Sequence, residues 1–125
     1  MIIKPSDGSV VTFAEEGQLA VDVMETNEEV IVAAPMAGAR SEKIQVVVHN
    51  DLLTIRGVRP EPLSHLSGMV QLHSECFWGS FSRTIILPTH VNGDFARAEY
   101  KQGVLTVYLP KQRHDANIPI VIVEE

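Results

Sequence analysis

The residues of this sequence best suited to chemistry are a single cysteine and a nearby histidine. His73 precedes Cys76 by three positions, and a thiol beside an imidazole base is the usual start of a nucleophilic site. A thiol enzyme also needs an oxyanion hole and a group that orients the base, and nothing else in the chain supplies them. Residues three apart in a strand also point to opposite faces. We therefore interpret the pair as an isolated histidine and a packed thiol. A small thiol enzyme is the least favoured of the three functions that the sequence suggests.

Other catalytic and metal-binding patterns are missing from the sequence. The chain has no Gly-Lys-Ser/Thr phosphate loop, no His-Glu-x-x-His, no Cys-x-x-Cys and no Gly-x-Ser-x-Gly. This argues against an ATPase, a zinc hydrolase and a serine hydrolase. The remaining histidines lack the spacing of metal ligands; they are His49, His65, His90 and His114. The sequence thus predicts no enzyme, no bound metal and no cofactor.

The composition predicts one folded domain that does not bind nucleic acid and does not span a membrane. The chain has 125 residues, of which 45% are hydrophobic and 21% charged, as in globular proteins. Its net charge of −6 disfavours nucleic acid, whose binding needs a basic face. The longest nearly apolar run, residues 30–39, is about half a membrane span and contains Pro35. The absence of a secretory signal pattern and the single cysteine predict a cytoplasmic protein.

Apolar residues recur mostly at every second position, which is the period of a half-buried β-strand. Residues 44–48 and 53–57 predict a hairpin, because Asn50 and Asp51 between them tolerate the positive φ of a tight turn. Further strands are predicted at residues 19–23, 29–34, 70–76, 81–87, 96–100 and 105–109. Since about seven short strands follow one another without a helical period, we expect an all-β, antiparallel β-sandwich.

Two segments have no evident place in such a sandwich. Residues 59–68 contain two prolines and a glycine without a sustained period, and we interpret them as a surface loop. A polar linker, residues 111–117, leads to the apolar segment IPIVIV at residues 118–123. An apolar segment beyond a polar linker is typical of docking on another molecule. The alternative, a last strand that folds back onto its own sheet, remains open because the linker allows it.

Five segments carry specific residue patterns in a fixed order. Residues 98–110 have the arrangement A-x-x-x-x-G-V-L-x-V-x-x-P. The others are Ala-Pro-Met-Ala-Gly at 34–38 with Glu42 and Ile44, Leu-Thr-Ile-Arg-Gly at 53–57, Gly-x-Phe-x-Arg at 79–83 with Leu87 and Pro88, and Ile-Pro-Ile at 118–120. Together they resemble the small heat-shock proteins, the α-crystallin-domain family, over about residues 18–122.

This resemblance implies an immunoglobulin-like sandwich in a chain of three parts. These are a short N-terminal arm at 1–17, an α-crystallin domain at 18–111 and a C-terminal extension at 112–125. The connection between Gly57 and Phe81 resembles the long version of the family's loop, which carries a strand exchanged between two protomers. The implied homodimer contact comprises Leu63, Leu66, Met69 and Arg83. Arg83 would pair there with a carboxylate of the partner or, alternatively, lie on the surface of one protomer.

The resemblance also implies a role for the C-terminal segment and a size for the assembly. Ile118, Pro119 and Ile120 are similar to the family's I-x-I anchor. The implied socket is a groove of another dimer, lined by Ile44, Val46, Val48 and Ala98. The N-terminal arm is shorter than in most relatives, so we expect dimers in exchange with small oligomers. Cys76 follows Glu75 where relatives usually have a basic residue, and residues 61–69 are less charged than usual.

The function implied by the resemblance is that of an ATP-independent chaperone of the holdase type. Such a protein covers the apolar surface of partly unfolded clients with its own exchangeable apolar patches, so it needs neither nucleotide nor catalytic residue. Its partners would be further copies of itself and non-native proteins. The alternative is a p23/CS-like co-chaperone module that docks one defined partner. The long loop and the Ile-x-Ile segment argue against that alternative.

Overall fold

The structure, a computed structural model, describes residues 2–3, 11–12, 16–112 and 119–123. The regular elements in these ranges are strands, apart from two short 3₁₀ turns at Ser41–Lys43 and Gly93–Phe95. In chain order the strands are β1 (Ile2–Ile3), β2 (Val11–Thr12), β3 (Gly17–Gln18), β4 (Asp22–Glu25), β5 (Glu29–Pro35), β6 (Gln45–His49), β7 (Leu52–Arg59), β8 (Gly79–Ile86), β9 (Arg97–Lys101) and β10 (Val104–Pro110).

Two four-stranded sheets confirm the predicted all-β sandwich. One has the strand order β4-β5-β10-β9 and is antiparallel throughout, and the other has the order β3-β8-β7-β6. In the second sheet β3 runs parallel to β8, with Gly17 opposite Phe81. Strands β1 and β2 form a separate antiparallel pair. Within the described sheets, β4, β9, β3 and β6 therefore each have one side without a neighbouring strand.

The core lies between the inner faces of these two sheets. Every second residue of β5 and of β10 is buried, and the register places the buried residues of one strand opposite those of the other. This confirms the period of two, because a strand with one buried face alternates inward and outward side chains. The buried apolar residues are Leu19, Val30, Val32, Ala34, Met36, Leu53, Ile55, Phe81, Leu87, Val91, Leu105, Val107 and Leu109.

Tight turns occur at two hairpins, the predicted one between β6 and β7 and another between β9 and β10. Asn50 has a φ of 53°, which allows the chain to reverse between β6 and β7. Gln102 and Gly103 connect β9 to β10 with φ values of 53° and 77°. At Gly103 a Cβ atom would lie 3.3 Å from the Cα of Ala37, so glycine also permits a close approach of two backbones.

The strand predicted at residues 70–76 is not formed within the protomer. These residues belong to a long loop, residues 60–78, that connects β7 to β8 and contains no described strand. The apolar residues there could form a strand only beside another strand, since an isolated strand leaves its backbone N–H and C=O groups unpaired. The sequence pattern indicates that the segment can form a strand, but it does not indicate which other strand the segment would pair with.

The strand predicted at residues 19–23 starts three residues later than expected. Gly17 and Gln18 pair with β8 of one sheet, whereas β4 begins at Asp22 and pairs with β5 of the other. Leu19 is buried, and its backbone N–H donates to the carbonyl of Ser82 at 3.1 Å. Residues 19–21 therefore cross from one sheet to the other. Alternation of side chains cannot reveal such a crossing, because it continues through both strands.

A methyl group at Gly57 should destabilise the sandwich. A Cβ atom at this position would lie 2.7 Å from Cζ of Phe81 and 2.9 Å from Cε of Met36, both of which are buried. Overpacking of this kind costs about 1–3 kcal/mol. We expect Gly57→Ala to lower the melting temperature by roughly 5–15 °C in a circular dichroism melt.

The matched control for that experiment is Gly93→Ala. A Cβ atom at Gly93 would meet Val48 at an ordinary contact distance of 3.6 Å. We expect this variant to melt within about 2 °C of the unchanged chain, as surface substitutions usually do. Equal melting temperatures for the two variants would contradict the close packing of Gly57 against Phe81.

Candidate functional site

An open groove lies where the edge strands β6 and β9 of the two sheets face each other. It has a volume of about 210 Å³ and is lined by Val46, Val48, Gly93, Ala96, Arg97, Ala98 and Val107. We call it the β6–β9 groove. It brings together three of the four residues predicted for the socket, Val46, Val48 and Ala98. The fourth, Ile44, is half-buried next to β6 and is outside this lining.

The groove is open because small side chains line β9. Ala98 is exposed, whereas Tyr100, two residues further along the same face, is half-buried and donates its hydroxyl to the carbonyl of Met36 at 2.7 Å. Gly93 contributes no side chain beside Val48. The half-buried Val46 and Val48 supply an apolar wall opposite. The result is an open channel with a partly apolar lining between two strands that each have an unpaired edge, a surface that can receive an extended segment.

A well-defined turn closes one end of the groove and presents an aromatic ring. The side chain of Asn92 accepts a hydrogen bond from the backbone N–H of Asp94 at 3.3 Å, and the N–H of Phe95 donates to the carbonyl of Asn92 at 3.2 Å. Phe95 is 71% exposed. The sequence analysis missed Gly93 as a residue of the groove, and Phe95 lies beside the groove without lining it. The turn-forming sequence Asn-Gly-Asp at 92–94 was the available signal.

The described part of the C-terminal segment, residues 119–123, is exposed and belongs to no strand. Ile120 and Ile122 are 86% and 79% exposed. These residues therefore do not form a last strand on their own sheet, which was the alternative left open by the sequence. Ile118, the first residue of the predicted anchor, lies outside the described residues. Pro119 and Ile120 are thus available to another molecule.

The long loop, residues 60–78, exposes the apolar residues predicted for the dimer contact. Leu63, Leu66 and Met69 are each about half exposed, and Leu72 is 92% exposed. A hydrogen bond from the N–H of Leu66 to the carbonyl of Leu63 at 3.1 Å forms a single turn in the loop. An open depression of about 610 Å³ is lined by Glu61, Leu63, Met69, Val70, Gln71, Leu72, His73 and Trp78. So much apolar surface on one loop is typical of a protein contact.

Residues 15–123 match the family model described as the Hsp20/alpha crystallin family. The chain belongs to this family. In a comparison with solved structures it resembles heat shock protein 16.0 from Schizosaccharomyces pombe with a TM-score of 0.72. The two sequences are 34% identical, and the match covers 86% of this chain and 77% of that one. The Hsp20/alpha crystallin assignment therefore holds at the level of both sequence and fold, as the resemblance predicted.

Curated relatives lead to the same family. The chain is 38% identical over 93 residues to spore protein SP21 of Stigmatella aurantiaca, which covers 74% of this chain and 54% of that protein. It is also 38% identical over 93 residues to heat shock protein 16 of Schizosaccharomyces pombe, with 74% and 65% covered. The match thus spans less than two thirds of these relatives. The matched family is that of the small heat-shock proteins, and the p23/CS-like alternative is not favoured.

Arg83, the fourth predicted dimer residue of this Hsp20-family chain, lies on β8 rather than in the long loop. It is half-buried, and its Nη1 donates to the backbone carbonyl of Leu19 at 3.2 Å. This contact holds the crossing segment 19–21 against β8 within the protomer. An ion pair with a partner's carboxylate stays a prediction.

The aromatic residues near Arg83 differ in their burial. Phe81 is buried, Phe77 packs against the core, and Trp78 remains partly exposed.

The thiol and the histidine singled out in the sequence do not meet. Cys76 is exposed, so the expectation of a packed thiol was wrong: the loop carries this residue away from the sheets. His73 directs its Nε2 to Oε2 of Glu75 at 2.7 Å instead. Among the described residues, no three His, Cys, Asp or Glu side chains are grouped so as to hold a metal ion. Within the same ranges, no helix is long and apolar enough to cross a membrane.

The charges beside Ile44 include one close ion pair. Nε of Arg40 lies 2.8 Å from Oε1 of Glu42 on the surface. A hydrogen bond from its own backbone N–H, assisted by the charge of Arg40, holds the pKa of the Glu42 carboxyl below its ordinary value. The pair is therefore ionised at neutral pH and its two charges cancel at a distance. The net positive charge next to Ile44 comes from Lys43.

Proposed function

We propose that this Hsp20-family protein is an ATP-independent chaperone that binds partly unfolded proteins and suppresses their aggregation. The observation that carries the proposal is the amount of apolar side-chain surface that the described chain leaves open. It lies on the long loop, on the C-terminal segment and on the edge strand β4, where Val23 and Met24 are exposed. A client with exposed apolar residues can bury them against such surfaces without any chemical step.

The same surfaces support assembly through the C-terminal segment. Ile118 and Ile120 project to one side of an extended chain, and Pro119 between them lowers the entropy lost on docking. The β6–β9 groove of another dimer would receive them beside Val46, Val48 and Ala98. Full burial of both isoleucines contributes about 3–6 kcal/mol before the cost of association. This range suits a reversible link that opens on warming and frees the groove for clients.

The dimer itself would form through the long loop. Its apolar residues at 63–72 have no neighbouring strand in their own protomer, and β4 has an unpaired edge in its sheet. We assign the loop of one protomer to the β4 edge of its partner, which would pair the free backbone groups of both. The three parts of the chain, 1–17, 18–111 and 112–125, would then serve as arm, dimer-forming domain and link. We expect these dimers to exchange with small oligomers, in the cytoplasm and without a cofactor.

The test is suppression of aggregation in the absence of nucleotide. Malate dehydrogenase heated with the purified protein should scatter less light as the chaperone approaches one dimer per client, and added ATP should change nothing. Cys76→Ala is the matched control and should protect equally well, because no thiol chemistry is involved. Unchanged scattering at a fivefold excess, or protection that requires ATP, would contradict the holdase. Protection lost in Cys76→Ala would favour the thiol hypothesis.

A further inference from the structure

The β6–β9 groove has two distinct ends. A Cβ atom at Gly93 would contact Val48, so the start of β9 lies beside the end of β6. From there β9 continues through Ala98 to Tyr100, while β6 leads back through Val46 towards Ile44. We call the two the Gly93 end and the Ile44 end. A segment that docks along the groove can therefore run in either of two directions.

The groove and the C-terminal segment share one spacing. Ile44, Val46 and Val48 point to the same side of β6 and are separated by about 6.6 Å from one to the next. The isoleucines at 118, 120 and 122 have the same separation in an extended chain. Two isoleucines suffice for the Ile-Pro-Ile anchor, which leaves Ile122 exposed without a role. Because the groove and the segment each have three apolar residues at this spacing, Ile122 can make a third contact.

The two ends of the groove differ in net charge. Lys43 precedes Ile44, and Lys101 follows Tyr100, so both exposed lysines belong to the Ile44 end. Asp94 is exposed at the Gly93 end. Arg97, which lines the groove near Gly93, keeps its positive charge although its guanidinium lies 3.9 Å from the ring centroid of Tyr108, so it offsets Asp94. Arg40 forms an ion pair with Glu42, and Glu99 accepts a hydrogen bond from the Tyr108 hydroxyl.

The residues that follow the isoleucines are acidic. Val123 is succeeded by Glu124 and Glu125. Two carboxylates are attracted to the lysines of the Ile44 end, whereas the Gly93 end, where Arg97 offsets Asp94, offers no net attraction. Only a segment that runs antiparallel to β6 places its glutamates at the Ile44 end. In that direction Ile118 lies beside Val48 and Ile120 beside Val46, and Ile122 reaches Ile44.

We propose that the C-terminal segment of a second copy docks antiparallel to β6, with Ile122 as a third anchor on Ile44 and with Glu124 and Glu125 facing Lys43 and Lys101. This inference rests on the anchoring role proposed above and adds to it a direction and an additional contact. It also gives Ile44, which is outside the open lining of the groove, a place in the docking surface.

Disulfide trapping tests the direction. In full-length protein with Cys76→Ser, Glu124→Cys is combined either with Lys43→Cys or with Asp94→Cys, two exposed positions at opposite ends of the groove. A disulfide requires Cα atoms within about 7 Å. Mild oxidation should yield a covalent pair of chains on a denaturing gel for the Lys43 combination and at least fivefold less for Asp94. The reverse ratio, or no covalent pair with either, overturns the proposal.

Two single substitutions test the third contact. Ile122→Ala should raise the protein concentration at which the assemblies dissociate about tenfold, as expected for the loss of one buried isoleucine. Val123→Ala, on the opposite side of the segment, is the matched control and should change this concentration less than about twofold. If Ile122→Ala equals this control while Ile120→Ala dissociates the assembly, the third contact is wrong and the anchor stands. If Ile120→Ala also has no effect, the anchoring proposal itself fails.

Discussion

Ile118→Ala combined with Ile120→Ala should reduce every assembly of this protein to dimers. The two substitutions remove the apolar surface that the segment would bury in the β6–β9 groove, worth about 3–6 kcal/mol before association costs. Residues 119–123 are exposed and contribute to no strand, so the thermal unfolding of the domain should change by less than about 2 °C. Native mass spectrometry and a circular dichroism melt of the same sample measure both quantities.

The matched control for this variant is Val121→Ala with Val123→Ala. It removes a similar apolar area from the opposite side of the segment and should leave the distribution of oligomers unchanged. A reciprocal change on the other surface is Ala98→Leu, which fills the groove and should also yield dimers. Unchanged oligomer mass together with a lower melting temperature for the isoleucine variant would mean that the segment packs on its own protomer.

Deletion of residues 61–68 should convert the dimer to a folded monomer. This part of the long loop carries Leu63 and Leu66, which are about half exposed. Without it the chain would be too short to reach the β4 edge of a partner. The deletion is made together with Ile118→Ala and Ile120→Ala, so that links through the C-terminal segment do not obscure the result. Sedimentation velocity at micromolar concentration should give the mass of one chain with an unchanged β-sheet circular dichroism spectrum.

A variant of normal length separates side chains from loop length. Leu63→Ser, Leu66→Ser and Met69→Ser should weaken dimerisation in the same background, whereas Ser64→Ala with Ser67→Ala should not. A deletion variant that stays dimeric at micromolar concentration would refute strand exchange. The dimer would then depend on another apolar surface, such as the one around Val23 and Met24 on β4 or around Ile86 on β8.

The contrast between β5 and the long loop explains how much of the fold the sequence could predict. In β5 the buried residues Val30, Val32 and Ala34 alternate with half-buried neighbours, and Pro35 ends the run. Such strands bury one face in the core of their own protomer, so the alternation of apolar residues along the sequence is enough to predict them. In residues 70–76 the apolar residues have no core of their own to face. Their pattern predicted a strand that a single protomer does not form.

The candidate site divides in the same way. Ile44, Val46 and Val48 were predictable as one face of a strand, and Ala98 was assigned through the family pattern. Gly93 was missed, because a turn becomes part of a groove only when the opposite sheet is packed beside it. Cys76 was expected to be packed and is exposed, since the period of the sequence does not show where a loop leaves the sheet.

By itself, the sequence determined the class of fold, the hairpin at Asn50, the family and the apolar character of the C-terminal segment. These depend on the order and period of residues along the chain. The crossing of residues 19–21 between the sheets, the groove between β6 and β9 and the exposure of the long loop were decided by the tertiary structure. Each depends on which two distant segments pack together, because burial is a property of a pair of surfaces rather than of one residue.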